Sequence, residues 1–322
     1  MSSSSNNSHH GSSRGHTRMH SATSFIDVNK GFNPRSALTE EQNEILNDFI
    51  KRVDYDRLTD RERRFLDEAA LIRFLRARDY DINKAEKLMN TCLEWRRSFK
   101  PDEITAEEVD SEASSGKLFQ RGFDKMNRPI VYMFPARENS TDYEKNIKLL
   151  VYTLERAVDA MPEGVEQMCW IIDFNGYSTR NSLPLSVAKQ TLNILNDCYP
   201  ERLGACFMVD TPFIFNIFWK AISPFINPVT KNKIHFVNGK DIEKAKIFGK
   251  YIDLAQIDTT WGGTSTFTYD HKIFWGNVME IDKHRIKRLG LHVSSSSTEQ
   301  IVEEKKFESH HATSEQQQHQ TI

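Results

Sequence analysis

Two different spacings of apolar residues divide the chain into a helical part and a following α/β part. From residue 39 to residue 100, apolar residues recur at intervals of three and four, which is the spacing of one face of an α-helix. Thr39 and Asp81 stand where N-caps are expected, and Pro101 closes the last helix. This pattern predicts a small all-helical subdomain over residues 38–105.

Short unbroken apolar runs alternate with helical spacing in the next part of the chain. The runs lie at residues 130–134, 169–174, 205–209 and 233–237, and the helical segments at 142–160, 184–198, 213–222 and 241–250. Apolar runs without alternation are typical of strands buried on both faces, which belong to parallel sheets with crossover helices. We therefore predict an α/β domain over residues 106–268 with a mainly parallel sheet. Ligands of such sheets bind beyond the carboxyl ends of the strands.

Residues 213–222 read F-I-F-N-I-F-W-K-A-I, directly after Pro212, which suits the first helical position. A helix that is apolar on nearly every side is not expected to lie half in water. It could be a fully buried crossover helix, a helix facing a partner, or a lid over an apolar cavity that also meets a membrane. Crossover helices usually keep one polar face, which favours the lid. Its apolar residues are Phe213, Phe215, Phe218, Trp219, Ile222 and, just beyond it, Phe225.

The two ends of the chain differ from this middle part. Residues 1–37 are rich in Ser, Asn, His and Gly, and residues 293–322 in Ser, Glu and Gln. Such segments bury too little apolar surface to offset their ordering entropy, so we expect both to be disordered. Residues 269–292 form a C-terminal extension, whose basic cluster could be a solvated helix face or an anionic-membrane contact. The cluster comprises Lys283, His284, Arg285, Lys287 and Arg288.

Composition excludes several classes of protein. Lys and Arg number 43 against 45 Asp and Glu, a net charge of −2, which argues against a nucleic-acid partner. No apolar run reaches the roughly 18 residues of a membrane span, and no signal peptide is recognisable, so we expect a cytoplasmic protein. The four cysteines have no metal-binding or redox spacing and are predicted to be reduced core residues.

Histidine placement limits catalysis. Seven of the 11 histidines lie in the polar ends, and only His235 falls in a predicted strand. Because Ile234 and Phe236 flank it, we expect His235 to have a structural role. The sequence contains no G-x-S-x-G, P-loop, H-E-x-x-H or strand-linked G-x-G-x-x-G motif. We therefore predict neither an enzyme nor a metal or cofactor site.

Five ordered motifs resemble those of the CRAL-TRIO family and extend from about residue 41 to Gly263. They are L-I-R-F-L-R-A-R at 71–78 with Asp81 and Trp95-Arg96, G-F-D-K-M-N-R-P-I at 122–130, I-D-F-N-G at 172–176, Y-P-E-R-L-G at 199–204 and I-N-P-V-T at 226–230. The resemblance implies a lipid-binding module with a helical amino-terminal part. It also implies an α/β lobe with a hydrophobic lipid pocket, gated by a mobile helix.

Within that family the chain looks most similar to the phosphatidylinositol transfer branch of the yeast secretory-pathway type. This resemblance implies that Arg78, Glu201, Thr230 and Lys233 hold the headgroup. Phosphate binds cations and hydroxyl donors, whereas inositol hydroxyls bind acceptors such as a carboxylate, so these residue types suit the ligand. The resemblance further implies a carrier, expected to be a monomer, that exchanges phosphatidylinositol at membrane surfaces and presents it to lipid kinases.

The chain departs from the family pattern at two places. Ser178 matches the first of two hydroxyl residues found in members that handle phosphatidylcholine, but Arg180 stands at the second. Because an arginine disfavours the choline cation, we do not expect phosphatidylcholine as a second lipid. Residues 254–256 read L-A-Q where the family usually has a proline before the paired glycines.

Two other functions remain open. The first is a carrier of a sterol, retinoid or tocopherol, which would need no headgroup cluster. The second is an α/β enzyme acting on a phosphorylated metabolite, with Asp173 or Asp210 as acid or base at the end of a strand. Aspartates at such positions more often cap turns.

Overall fold

Residues 32–290 are described by a computed structural model of the 322-residue chain. Five strands form one sheet in the order β1-β2-β3-β4-β5. They are Leu118–Phe123 (β1), Pro129–Met133 (β2), Met168–Asp173 (β3), Leu203–Val209 (β4) and Ile234–Val237 (β5). Strands β2 to β5 run parallel, and β1 pairs antiparallel with β2. The predicted mainly parallel α/β sheet is confirmed.

Strand β1 is not predicted by the sequence pattern. Only Leu118 and Phe119 at its start are buried and apolar, and Gln120, Arg121 and Gly122 follow. The pairing register shifts between Gln120 and Phe123, as in a β-bulge. An edge strand with a bulge does not require the continuous apolar run that marks a central strand.

The described residues form eleven α-helices, several of which begin at the predicted caps. The helices are Glu40–Arg52 (α1), Asp60–Phe65 (α2), Glu68–Arg76 (α3), Ile82–Phe99 (α4), Asp110–Ala113 (α5), Tyr143–Asp159 (α6), Leu185–Cys198 (α7), Phe215–Ile222 (α8), Pro228–Lys231 (α9), Asp241–Tyr251 (α10) and His271–Leu289 (α11). Thr39 caps α1 and forms a capping box with Gln42, and Asp81 accepts a hydrogen bond from the Lys84 N–H at the start of α4.

Each face of the sheet is covered by different elements. On one face, Leu75 and Cys92 of the amino-terminal helices belong to the same buried cluster as Val131 and Trp170 of the sheet. On the other face, α10 packs through Phe248, together with the chain that follows it. The amino-terminal helices therefore share a core with the α/β part.

The predicted boundary of the folded region is too late. Pro34–Ala37 forms a 3-10 helix capped by Asn33, within the segment expected to be disordered up to residue 37. Residues 1–31 and 291–322, where the rest of the expected disorder falls, lie outside the described residues.

Helix α11 attaches the C-terminal extension to the chain between α4 and α5. The Trp275 indole N–H donates to the carbonyl of Ala106 at 3.1 Å, and the Asp282 carboxylate accepts from the Ala106 N–H at 2.7 Å. Arg285 donates to Asp282 and to the carbonyl of Ile104, both at 2.6 Å. The extension is thus a structural element of the same body.

These contacts change the interpretation of the basic cluster. Arg285 is only 4% exposed and anchors the helix. Lys283 pairs with Glu280 at 2.7 Å, and Arg288 lies 3.9 Å from Asp159. Arg285 is therefore not part of a surface cluster. Because Lys283 and Arg288 have acidic partners, a solvated helix face is favoured over an anionic-membrane contact for the four exposed basic residues.

Gln256 belongs to the L-A-Q segment that stands where the family usually has a proline. Its side chain forms two hydrogen bonds with the backbone of Phe123 at the end of β1. Its side-chain amide donates to the Phe123 carbonyl at 2.7 Å, and its amide oxygen accepts from the Phe123 N–H at 3.0 Å. Gly122 has a φ of +68°, and a Cβ there would lie 2.2 Å from that oxygen. The departure from the family pattern therefore forms a specific edge contact.

Two sequence-based expectations concern the chain as a whole. Within residues 32–290, no helix combines the length and the apolar character that crossing a bilayer requires. The four cysteines are free and buried, as predicted: Cys92, Cys169, Cys198 and Cys206.

Candidate functional site

Two of the predicted headgroup residues meet at the amino ends of β4 and β5. The Lys233 ammonium lies 3.5 Å from a carboxylate oxygen of Glu201, and each side chain is 20% exposed. Glu201 stands two residues before β4, and Lys233 immediately precedes β5. The pair therefore lies at the edge opposite to the carboxyl ends, where open α/β sheets usually bind ligands.

The turn before β4 sets the direction of the Glu201 side chain. Glu201 has a φ of +58°, a left-handed conformation that is uncommon for residues other than glycine. Its neighbour Arg202 points elsewhere and donates to the carbonyl of Glu166 at 2.8 Å. Burial, reinforced by the charge of Arg73, lowers the pKa of Arg202 to about 9.

Thr230 and Arg78 are related to this pair in different ways. Thr230 lies in α9, and its carbonyl accepts from the Lys233 N–H at 3.0 Å, so it stands in the turn that leads to Lys233. The Arg78 guanidinium is 3.8 Å from Asp197, in the last turn of α7. The structure thus joins Glu201 to Lys233 and connects Arg78 to the helix that precedes the Glu201 turn. Asp197 was not predicted, although its position just before Y-P-E-R is visible in the sequence.

A buried network ties the same turn to the amino-terminal helices. The Tyr199 hydroxyl donates to Glu155 of α6 at 2.7 Å, and Arg96 of α4 donates to both Glu155 oxygens at 3.0 and 3.1 Å. Burial alone would raise the pKa of Glu155. The charge of Arg96 and the hydrogen bonds from Arg96 and Tyr199 outweigh burial and lower that pKa to about 2. Glu155 is therefore ionised and fixes the position of Tyr199.

Helix α8, the predicted lid, lies at the surface with two different sides. Phe215 and Ile222 face inward at 2% and 4% exposure. Phe213 and Ile217 face outward at 85% and 67% exposure. The interpretation as a fully buried crossover helix is therefore wrong. After its predicted role we call α8 the gate helix. The exposed residues Phe213 and Ile214 before it, Ile217 on it and Phe225 after it form what we call the outer apolar face.

The gate helix begins later than predicted. Residues 213 and 214 form a turn in which the Phe215 N–H donates to the carbonyl of Pro212 at 2.9 Å. The first residue of the helix is Phe215, and no side chain caps it. The sequence signal of a helix with proline in its first position therefore marks a turn here.

The inner side of the gate helix rests on the sheet and on α7. The ring centroids of Phe215 and Phe174 are 4.5 Å apart, and those of Trp219 and Phe236 are 5.4 Å apart. Ile222 packs with Ala188 of α7. The segment leaves the carboxyl end of β4 and returns to the amino end of β5, so it crosses one face of the sheet lengthwise.

The residues of the alternative enzyme site are engaged in local structure. Asp173 accepts from the Asn175 N–H at 2.9 Å, and Asp210 accepts from the Lys244 ammonium at 2.6 Å. Burial raises the pKa of Asp173, the hydrogen bond from the Asn175 N–H offsets part of this rise, and the charge of Asp210 adds to it. The turn-capping role predicted for Asp173 is confirmed.

His235 also has the expected packing role. Its ring centroid lies 5.2 Å from that of Phe207 and 5.1 Å from that of Tyr251. Burial lowers its pKa, so the ring is neutral near pH 7.

Two cavities lie apart from the gate helix. One of about 50 Å³ is lined by Arg96, Glu155 and Tyr199 among others, and is large enough for ordered water. A groove of about 430 Å³ runs past Phe32 and Glu166. Neither is lined by a residue of the gate helix, so neither is the predicted lipid pocket.

Comparison with known proteins identifies the family to which the chain belongs. The family model described as CRAL/TRIO domain matches residues 113–263, and that described as CRAL/TRIO, N-terminal domain matches residues 36–90. The phosphatidylinositol transfer protein PDR17 of Saccharomyces cerevisiae is 32% identical over 244 residues, covering 72% of this chain and 67% of that protein. The chain belongs to the CRAL-TRIO family. The resemblance inferred from the five motifs is thereby confirmed.

Other CRAL-TRIO relatives differ in length. A CRAL-TRIO domain-containing protein of Schizosaccharomyces pombe is 36% identical over 234 residues, which cover 73% of this chain but only 22% of that protein. The SEC14 cytosolic factor of Eremothecium gossypii is 29% identical over 250 residues, covering 71% and 78%. The crystal structure of Sfh5 matches with a TM-score of 0.53 at 13% identity, over 77% of this chain and 98% of that one. At that identity the likeness concerns the fold.

Ser178, which the sequence suggests for the headgroup of a second lipid, has a local role in the structure. The Ser178 hydroxyl donates to the side-chain oxygen of Asn181 at 3.0 Å, within the turn after β3. Arg180 in the same turn is exposed. That Arg180 disfavours phosphatidylcholine stays a prediction.

Proposed function

We propose that this CRAL-TRIO protein binds phosphatidylinositol beneath a movable gate helix and carries it between membranes, or presents it at their surface. One observation carries the proposal. The gate helix turns an apolar face to solvent while it covers the sheet face that ends at the Glu201–Lys233 pair. The relatives named phosphatidylinositol transfer proteins support this choice of ligand.

The headgroup is held at the amino edge of the sheet. Lys233 and the Thr230 hydroxyl bind the phosphate, and the Glu201 carboxylate accepts from inositol hydroxyls. At 3.5 Å the Glu201–Lys233 pair is long and partly exposed, so a headgroup can enter between the two side chains at little cost. Arg78 acts through Asp197, which fixes the end of α7 before the Glu201 turn.

In this structure the gate helix is closed, and Phe215 and Trp219 fill the space between it and the sheet. The acyl chains of the bound lipid occupy this same space. Outward movement of the helix opens it. Burial of acyl chains is worth about 0.8 kcal/mol per CH₂, so two chains would cost tens of kcal/mol in water. A carrier that supplies an apolar environment removes most of this barrier, and gate opening then controls exchange.

The outer apolar face gives the protein a transient contact with the bilayer. Phe213 and Ile217 enter the interfacial region when the gate opens. In this proposal the protein is a cytoplasmic monomer that uses neither a catalytic group nor a cofactor, and it presents phosphatidylinositol to lipid kinases.

The test is transfer of labelled phosphatidylinositol between vesicles. We expect the double variant Glu201→Ala and Lys233→Ala to lower the rate at least about tenfold, because each lost charged contact contributes about 1.5–3 kcal/mol. The matched control is Glu280→Ala with Lys283→Ala, an exposed acid–base pair at 2.7 Å on α11. An unchanged rate in the Glu201–Lys233 variant would show that the headgroup assignment is wrong.

The same variant separates the alternatives. A carrier of a sterol, retinoid or tocopherol would bind its ligand equally well after the double substitution. Native mass spectrometry of the purified protein identifies what it holds. A water-soluble phosphorylated compound in place of a lipid would favour an enzyme.

A further inference from the structure

The connection between β4 and β5, residues 210–233, contains the gate helix and is called the gate segment. Its amino-terminal end is fixed by a residue with an unusual backbone conformation. Asp210, the first residue after β4, has a φ of +49°. This left-handed conformation costs energy for any residue except glycine, although Asp and Asn adopt it more readily than others. Asp210 donates its N–H to the Val237 carbonyl at 3.1 Å, and Thr211 donates its N–H to the Asn238 side chain at 3.0 Å. The chain changes direction here from sheet to gate.

The charge that faces Asp210 comes from the opposite side of the sheet. Lys244 belongs to α10, which covers the face away from the gate helix, and it is only 6% exposed. Its ammonium lies 2.6 Å from an Asp210 carboxylate oxygen. A lysine is rarely buried to this extent without a partner, and this ion pair links α10 to the start of the gate segment.

A second carboxylate makes the lysine more important. Asp173 ends β3, the strand beside β4, and the charge of Asp210 contributes to its raised pKa. The charge of Lys244 acts in the opposite direction and lowers the pKa of Asp173, so without Lys244 the repulsion between these two carboxylates at the carboxyl edge of the sheet would be less compensated. The gate helix has no side-chain cap of its own, so this edge supplies the anchor that its amino end otherwise lacks.

We propose that Lys244 is a positioning residue that holds Asp210 in its left-handed conformation and thereby keeps the amino-terminal hinge of the gate segment closed. Loss of the ion pair frees this end of the gate. The consequence for lipid exchange rests on the proposed function, whereas the consequence for the motion of the segment does not.

Amide hydrogen exchange of the full chain, without lipid, tests the hinge. We expect Lys244→Met and Asp210→Asn each to accelerate exchange in residues 211–217 about tenfold, in line with loss of one charged hydrogen bond. The double variant should match either single variant, because both substitutions remove the same interaction. In Lys244→Arg, exchange should stay slow, because arginine keeps a cation opposite Asp210. Lys283→Met, on the exposed side of α11, is the matched control.

The outcomes separate this proposal from the proposed function. Unchanged exchange in residues 211–217, additive effects in the double variant, or equal acceleration throughout α10 would overturn the hinge, since Lys244 would then only stabilise the core. Faster exchange in the variants, with no transfer of phosphatidylinositol by any form of the protein, would support the hinge and reject the carrier. Normal transfer of phosphatidylinositol together with unchanged exchange in residues 211–217 would support the carrier and reject the hinge.

Discussion

In the turn between α7 and β4, three side chains make contacts with three different parts of the protein. Tyr199 reaches into the buried network at Glu155, Glu201 points to Lys233, and Arg202 donates to the carbonyl of Glu166. Because the buried network fixes Tyr199, it restricts the chain two residues before Glu201, the residue that we propose binds the headgroup. The buried network at Glu155 and the candidate site at Glu201 are thus connected through one residue, Tyr199.

At this scale, Glu155→Gln should lower the free energy of unfolding by about 3 kcal/mol at pH 7, because Arg96 keeps its buried charge and loses its main partner. The folded-state pKa of Glu155, about 2, lies below its ordinary value of 4.5. The ionised carboxylate therefore stabilises the fold fully above pH 4.5, and this contribution is lost as the pH falls towards 2.

Urea unfolding at pH 7 and pH 3 measures this difference. Glu144→Gln, on the exposed side of the same helix, is the control and should have little effect at either pH. If the free energies of unfolding of wild type and Glu155→Gln differ by the same amount at pH 3 as at pH 7, the lowered pKa of Glu155 is contradicted.

Single residues were predicted from the sequence where the local chain determines their role. Thr39 and Asp81 act as caps through neighbours three residues away, so the pattern reveals them. The partner of Arg78 is Asp197, and that of Asp210 is Lys244. Such pairs depend on the tertiary fold, and no local spacing indicates them.

Among the elements, the gate helix deviates most from ordinary patterning. Its apolar residues are divided between an inner side that packs on Phe174 and Phe236 and an outer side in solvent. Apolar side chains that stay in contact with water in the folded state contribute no burial energy to folding. The outer residues are therefore free to serve an encounter with another apolar phase.

We expect Phe213→Ser with Ile217→Ser to weaken binding to phospholipid vesicles at least about tenfold, since each apolar side chain contributes about 1.5–3 kcal/mol when fully buried. The free energy of unfolding should change little, because these side chains are 85% and 67% exposed. Vesicle sedimentation measures the binding. Ile242→Ser, a 71% exposed isoleucine on α10, is the control. Equal loss in both variants would indicate a general effect of surface hydrophobicity.

The elements predicted correctly are those with one dominant period. The four parallel strands and the helices between them follow from unbroken apolar runs and helical spacing. Strand β1 was missed because Gln120, Arg121 and Gly122 interrupt its apolar run. The start of the gate helix was misplaced because Asp210 is held by β5 and α10, and Thr211 by Asn238 just after β5. All three partners lie later in the sequence.

At the scale of the whole molecule, helix α11 connects distant parts of the chain. Arg285 reaches the carbonyls of Asp102 and Ile104, about 180 residues away in sequence. Its partner Asp282 also lies 3.5 Å from Arg156 of α6. The C-terminal extension thereby holds the junction between the helical and α/β parts.

Arg285→Gln should lower the free energy of unfolding of the whole protein by about 3 kcal/mol, because it leaves the buried Asp282 without its closest cation. Arg288→Gln, whose side chain is 71% exposed, should cost less than about 0.5 kcal/mol. Thermal unfolding of both variants measures the contrast. Equal destabilisation by the two substitutions would contradict the structural role of Arg285.

The sequence treats these two arginines alike, since they lie three residues apart in one basic run. Only the packing of α11 against residues 102–106 distinguishes them. In the same way, the family motifs predicted the fold and the positions of Glu201 and Lys233, whereas the orientation of the extension depends on contacts between segments far apart in sequence.

The outer edges of the sheet have a consequence for behaviour at high concentration. A protein that displays phenylalanine and isoleucine to solvent already carries one risk of self-association. Strand β5 has only four residues, and β1 is bulged and occupied at Phe123 by the amide of Gln256. Short or interrupted edges offer a poor template for strand addition by another molecule. Self-association through the sheet edges is thereby discouraged, so the outer apolar face is the remaining surface through which copies of this protein could associate.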